Sequence, residues 1–491
     1  MKTSALFVLC LALTTFAAEP PDGLRDTLGS RFRSAPHQPS GPRHRPRSRI
    51  DSVRSWNEIA INASGLDHTP VAPGEIRVFG EQLGPCRSSR ALAIVHIAMF
   101  DTINAVLGGY ESYTGIRAPS GPVSLRVAVS QAAHDTLVAL FPSQAPAFDA
   151  ALSEDIDDCR DRREKANGIV LGKRAAAAIL ALKANDGSQN PELRVGTEWP
   201  TSDLPGHWRQ DPISLIPLAL GARWGACIPF VLETSSQFRI PPPPALDSAE
   251  YAAAFDEAKR LGGDGVTTPT QRTPEQTQIG IYWAYDGTPS LCAPPRLYNQ
   301  IALQIADQMH SGDLEVARLL ALVNVAMADA GMACWESKYH YDFWRPVTGI
   351  REAAPGAGGD PGFMPLGAPA SNLTGPNFTP PFPAYPSGHA TFGAALFQTL
   401  RRFYGTDRIR FTFVSDEFNG VTRANTGAVR PLIPRTFSTL SQAEEENGQS
   451  RIYLGIHWSF DKTQGIAQGR RVGDYVFENA FRPLRRGGRG E

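Results

Sequence analysis

The sequence predicts an all-α fold, a multi-helix bundle with long connections. Two observations carry this. A series of stretches has the apolar spacing and end signals of helices, and convincing alternating strands are scarce. The 491 residues are 42% hydrophobic and 20% charged, an ordinary globular composition. A formal net charge of −1 offers no global attraction for nucleic acid or an anionic membrane surface.

Taken from the start, MKTSALFVLCLALTTFAAEP has Lys2, an apolar run from Ala5 to Leu13 and then small residues. That is the layout of a secretory signal peptide over 1–18, cut after Ala17 or Ala18, and it predicts an extracellular or periplasmic protein. Residues 19–55 (PSGPRHRPRSR within them) are rich in Pro, Arg and Ser and predict a disordered leader. Residues 56–483 then form the helical domain.

Within it, SSRALAIVHIAMFDTINAVLGG is apolar around most of its circumference and ends on glycine, the pattern of a buried helix. SQAAHDTLVALF, KANGIVLGKRAAAAILALKA, DSAEYAAAFDEAKRLGG and GDLEVARLLALVNVAMADAG also read as helices. In TPEQTQIGIYWAYDG, Thr273 is the expected N-cap and Pro274 the first helical residue. The best later membrane candidate, Leu319 to Ala328, is about half the ~20 residues that a span requires, so no membrane span is expected. Cys10 lies in the signal. Cys86, Cys159, Cys227, Cys292 and Cys334 show no CxxC spacing, which argues against a zinc cluster. An oxidising compartment allows them two disulfides and one free thiol.

Two connections are long, 186–245 and 351–386. The second is dense in Gly and Pro and delivers the chain to Ser387, Gly388 and His389, so it is expected to be functional. Three blocks around it carry the chemistry, between 335 and 461. In CWESKYHYDFWRPVTG, Lys338 and Arg345 are two helical turns apart and share a face if one helix holds both. In PSGHATFG, Ser387 or a neighbour is expected to cap a helix whose free N–H groups, with Gly388, suit an anion, and His389 adds a proton donor or acceptor near neutral pH. In SRIYLGIHWSFD, His457 and Asp461 are i, i+4. An aspartate behind a histidine orients the ring and makes its far nitrogen a better nucleophile or ligand. Taken singly, each block also fits a surface cation pair, a structural cap or a helix salt bridge. Together, Lys338, Arg345 and Arg451 supply three cations that call for a tetrahedral oxyanion. Phosphate and vanadate both fit.

These blocks, K-x6-RP, PSGH and SR-x5-H-x3-D, resemble the signature shared by vanadium-dependent haloperoxidases and the type 2 phosphatidic acid phosphatases and acid phosphatases. The wider context, FWRP, PPFPAYPSGHATFG and SRIYLGIHWSFD, is similar to fungal-type vanadium chloroperoxidases. The resemblance implies two four-helix bundles and a vanadate cofactor. It implies that His457 is the metal ligand, that Lys338, Arg345, Ser387, Gly388 and Arg451 hold the oxyanion's oxygens, and that His389 is the catalytic acid/base. It further implies that Lys338 polarises peroxide and that Asp461 supports His457. Trp335 and Phe382 match the aromatics of the halide pocket. Hydrogen peroxide, chloride or bromide, and an organic acceptor are the implied partners. A secreted acid phosphatase, with His457 as the phosphorylated nucleophile, is the alternative on the same residues.

Overall fold

The computed structural model describes residues 23–34 and 52–484. The predicted signal peptide, and residues 19–22 and 35–51 of the predicted leader, lie outside the described residues. Fourteen α-helices dominate among those that are described. They are α1 (Gly23–Leu28), α2 (Ser52–Asp67), α3 (Gly84–Leu107), α4 (Leu125–Leu140), α5 (Ala145–Asp157), α6 (Arg162–Leu182) and α7 (Ala249–Gly262). The second half adds α8 (Pro274–Tyr282), α9 (Pro294–Gln308), α10 (Asp313–Tyr341), α11 (Pro346–Glu352), α12 (Gly388–Tyr404), α13 (Leu440–Tyr453) and α14 (Ser459–Asn479). The short strands are β1 (Arg33–Ser34), β2 (Leu193–Arg194), β3 (Leu218–Ala219), β4 (Leu373–Thr374), β5 (Phe411–Asn419) and β6 (Leu432–Phe437). They pair antiparallel as β1–β4, β2–β3 and β5–β6. The fold is all-α, as its sequence predicts.

Local chemistry sets several boundaries. Thr273 accepts from the Gln276 N–H while the Gln276 side chain accepts from Thr273, and Pro274 opens α8. That reciprocal capping satisfies two backbone donors that the helix leaves unpaired. The helices form two groups. One gathers α3, α4, α5 and α6, and the other gathers α12, α13 and α14. Helix α10 packs against α3 on one side and α12 and α14 on the other, so it is apolar all round.

Helices α3 and α10 are long and apolar enough to cross a membrane, which corrects the expectation of no such segment. The uninterrupted apolar run of α10 is short because Asn324 and Asp329 divide it. Both are buried and partnered: Asn324 pairs with Asn299 at 2.8 Å, and Asp329 accepts the N–H groups of Phe230, Val231 and Leu232. The fold covers both helices, burying 83% of the most apolar window of α3 and all of that of α10.

Residues 23–34 correct the expectation of a disordered leader. Leu24 and Phe32 are buried among Ile216, Leu373 and Phe378, and Phe32 meets Phe378 edge-on at 5.8 Å. Two apolar anchors, each gaining about 1.5–3 kcal/mol on burial, dock the segment, and Leu28 packs against the same cluster. All five cysteines among the described residues are free thiols, so the two disulfides that an oxidising compartment would allow are not formed. The β5–β6 hairpin was not anticipated. Phe411, Phe413, Ser415 and Glu417 alternate inward, and the two polar residues mask the apolar rhythm.

Candidate active site

Lys338 and Arg345 do not share a helix. Helix α10 ends at Tyr341, Asp342 turns left-handed at φ 51°, and Arg345 is the N-cap of α11. Pro346 causes this, because it disfavours helical backbone at Arg345 and pre-sets the first turn of the next helix. Both side chains nevertheless turn onto the segment before α12. The Lys338 ammonium donates to the carbonyls of Pro383 at 2.8 Å, Ala384 at 3.0 Å and Pro386. Arg345 donates to the carbonyls of Phe382 at 2.9 Å and Ile456 at 2.8 Å.

Ser387 is the N-cap of α12 and accepts from the Ala390 N–H at 3.4 Å. Its own N–H donates to the Asp461 carbonyl at 3.0 Å, which ties the start of α12 to the start of α14. Gly388 opens α12 against the Trp335 ring. A Cβ there would lie 3.1 Å from that ring, so the backbone approaches as closely as glycine permits.

His457 lies in the turn before α14, and Asp461 lies in the first turn of that helix. The turn, rather than one continuous helical face, brings them together. His457 Nδ1–H donates to Asp461 Oδ2 at 2.7 Å, and the Trp458 N–H donates to the same oxygen at 3.0 Å. His457 Nε2 accepts from Arg345 Nη1 at 2.9 Å. Burial, then the nearby Arg345, Lys338 and Arg451, hold His457 well below the usual imidazole range. The ring is therefore neutral, with its Nε2 lone pair facing the cations. Burial pushes Asp461 up to about 7, opposed by the Trp458 N–H.

Arg451 comes from the last turn of α13 and reaches Asp286, to which its Nη2 donates at 2.7 and 2.8 Å. Asp286 also lies 4.0 Å from His389 Nε2, which meets the Ala284 carbonyl. Burial, followed by Arg451, keeps His389 well below its ordinary pKa. Sequence reasoning missed Asp286. Its only signal, an Asp-Gly pair after YWAY at the end of a helix, is also an ordinary turn.

The structure thus gathers every candidate residue. A cleft is lined by His389, His457, Arg451, Asp286, Trp335 and Phe382, among others. Trp335 and Phe382 lie 4.8 Å apart, centroid to centroid. Lys338 Nζ and the Arg345 guanidinium each lie 5.0 Å from the Phe382 ring. The two aromatics form an apolar wall directly beside the cations.

Residues 318–486 match the family described as the VCPO second helical-bundle domain. The chain is 33% identical to vanadium chloroperoxidase from Curvularia inaequalis over 490 aligned positions, covering 83% of this chain and 78% of that protein. The chain belongs to the vanadium-dependent haloperoxidase family. A bacterial vanadium-dependent iodoperoxidase structure shares the fold at a TM-score of 0.70, with 24% identity, over 89% of this chain and 99% of that one. A holo-type bacterial vanadium-dependent chloroperoxidase aligns at a TM-score of 0.61 with 18% identity, over 85% and 94% of the two chains. The protein is thus a haloperoxidase-family enzyme, and the phosphatase alternative is not favoured.

The donor set of this haloperoxidase fits vanadate. Arg451 Nε and Nη1 are buried without partners. Unmet buried donors of this kind are costly unless a ligand accepts them. Lys338, Arg345 and Arg451 are at most 1% exposed, and burial lowers Lys338 to about 7 and Arg345 to about 9. A tetrahedral oxyanion supplies the missing negative charge and acceptors.

A pH dependence follows. A bound anion favours charged Lys338, whose anion-free pKa is about 7. Above pH 7, binding must therefore take up a proton, and affinity falls by up to about tenfold per pH unit between 7 and 9. Below pH 7 Lys338 is already charged and this slope disappears. Calorimetric titration with sulfate, whose own charge is constant over this range, in buffers of different ionisation enthalpy reads the uptake. A flat affinity between pH 7 and 9 would contradict it.

Proposed function

We propose that the protein is a secreted vanadium-dependent haloperoxidase that oxidises chloride or bromide with hydrogen peroxide to hypohalous acid. The observation that carries this reading is the placing of His457, oriented by Asp461 and ringed by three buried cations, beside the Trp335–Phe382 wall. The overall reaction consumes halide, peroxide and one proton, and yields hypohalous acid and water. An organic acceptor then takes the halogen.

His457 Nε2 would hold the vanadium, while Lys338, Arg345, Arg451, Ser387 and the Gly388 N–H would hold the oxygens. Vanadate supplies a Lewis acid that activates peroxide without changing its oxidation state. The chain supplies fixed donors on buried side chains, where they need no reorganisation during reaction. Lys338 would polarise peroxide through its positive charge, which the carbonyls of Pro383, Ala384 and Pro386 hold in place. His389 exchanges protons with peroxide and product. The apolar faces of Trp335 and Phe382 strip water from the halide, which raises its reactivity. Secretion rests on the Lys2-to-Ala18 pattern.

The test recovers mature protein from the medium or periplasm, free of phosphate, and assays peroxide-dependent bromination of a 1,3-diketone with and without orthovanadate. Activity that needs vanadate and is suppressed by phosphate is expected, and chloride is tried next. Phosphoester hydrolysis without halogenation would overturn the reading, and recovery from the cytoplasm alone would overturn secretion.

A further inference from the structure

We propose that Glu417 is a positioning residue for the acid/base end of the site, and that it acts by fixing the Tyr282–Asp286 segment. That segment carries both groups facing His389: the Ala284 carbonyl and the Asp286 carboxylate. It leaves α8 at Tyr282, and residues 283–286 have no regular structure to hold them. Tyr285 is left-handed at φ 47°, a conformation that a bulky residue keeps only when its surroundings impose it.

Strand β5 imposes it. Ser415 Oγ donates to the Tyr282 carbonyl at 2.6 Å, and the Tyr282 hydroxyl donates to the Phe413 carbonyl at 2.7 Å. The Asp416 N–H donates to the Tyr285 hydroxyl at 2.6 Å. Glu417 closes the clamp, with Oε1 accepting the Tyr285 N–H at 3.3 Å. The other oxygen, Oε2, accepts from Ser371 Oγ at 2.6 Å and from Arg430, and Arg430 also donates to Ser371 at 2.9 Å.

Glu417 is wholly buried and does not line the cleft. A buried carboxylate needs compensation, and Arg430 provides it. The network therefore joins the hairpin and the Gly/Pro-rich connection, through Ser371, to the residue preceding Asp286. It fixes how Asp286 meets Arg451 and how Ala284 meets His389, and Glu417 itself makes no hydrogen bond to His457, Lys338, Arg345 or Arg451.

The test compares wild type with Glu417→Gln and the milder Ser371→Ala. Glu417→Gln keeps an acceptor for Tyr285 but removes the charge that pins Arg430. Amide exchange across 282–287 is expected to rise at least ~10-fold, because local protection follows local contacts. The kcat for bromination is expected to fall about tenfold while the Kd for orthovanadate stays within about threefold, since small misplacements cost turnover. In an Asp286→Asn background, the loss caused by Glu417→Gln should shrink, because residues acting through one another are not additive. Unchanged exchange in folded Glu417→Gln, additive losses, or vanadate affinity falling in step with kcat would each overturn the proposal. If wild type oxidises no halide, the functional reading fails on its own account, and the exchange comparison still decides the clamp.

Discussion

His457→Ala is expected to abolish orthovanadate binding and turnover together. Nε2 of this ring is the imidazole nitrogen aimed at the three cations, and its lone pair is kept available by the Nδ1–H bond to Asp461 at 2.7 Å. In the haloperoxidase reading it is the metal ligand, and no neighbour can replace it. Loss of an outer-shell partner of a metal ligand typically costs 10–100-fold in affinity, so loss of the ligand itself should exceed ~100-fold. Asp461→Asn supplies the graded control. The aromatic and carbonyl frame stays, the carboxylate acceptor is weakened, and affinity should fall within that 10–100-fold range. Titration with orthovanadate, alongside circular dichroism to confirm folding, separates the two variants. A folded His457→Ala protein that binds vanadate as wild type does would remove the whole site assignment.

Why the site was legible while parts of the frame were not has a physical explanation. A catalytic constellation fixes residue types at fixed local spacings, so Lys338, Arg345, Ser387, Gly388, His389, Arg451, His457 and Asp461 stand out along the chain. The geometry that unites them is not local. Lys338 and Arg345 converge because Pro346 forces a break that the two-turn spacing hides. His457 and Asp461 meet at a helix start, although the same spacing also fits mid-helix. Asp286 was missed because its role depends on Arg451, 165 residues away. The hairpin was missed because Ser415 and Glu417 occupy inward positions that apolar residues would have marked. Residues 23–34 were missed because composition averages over a window, whereas two side chains, Leu24 and Phe32, do the docking. Caps such as Thr273 were read correctly, since a cap bonds within three residues of itself.

His389→Ala is expected to separate binding from turnover, lowering kcat by about 10²–10⁴-fold, the usual weight of a general acid/base, while leaving orthovanadate affinity close to wild type. The frame around this residue explains why. Its backbone carbonyl, not its ring, anchors α12, accepting from the Tyr298 hydroxyl and the Asn447 amide, each at 2.9 Å. Removing the ring therefore leaves the helix start and the Gly388 N–H in place. A carbonyl can only accept, so the contact with Ala284 puts the ring hydrogen on Nε2 and leaves Nδ1 as the basic atom. Burial and Arg451 hold the ring well below the ordinary imidazole range. The neutral base of the anion-free site thus persists as pH falls through 6.5, and the His389 ring, followed by NMR in the anion-free enzyme, should take up its proton only below that value. Initial rates at saturating peroxide, with vanadate occupancy measured separately, check the loss of turnover. Vanadate affinity collapsing together with kcat would make the ring a structural support, and a ring that titrates above pH 6.5 would contradict the neutral base.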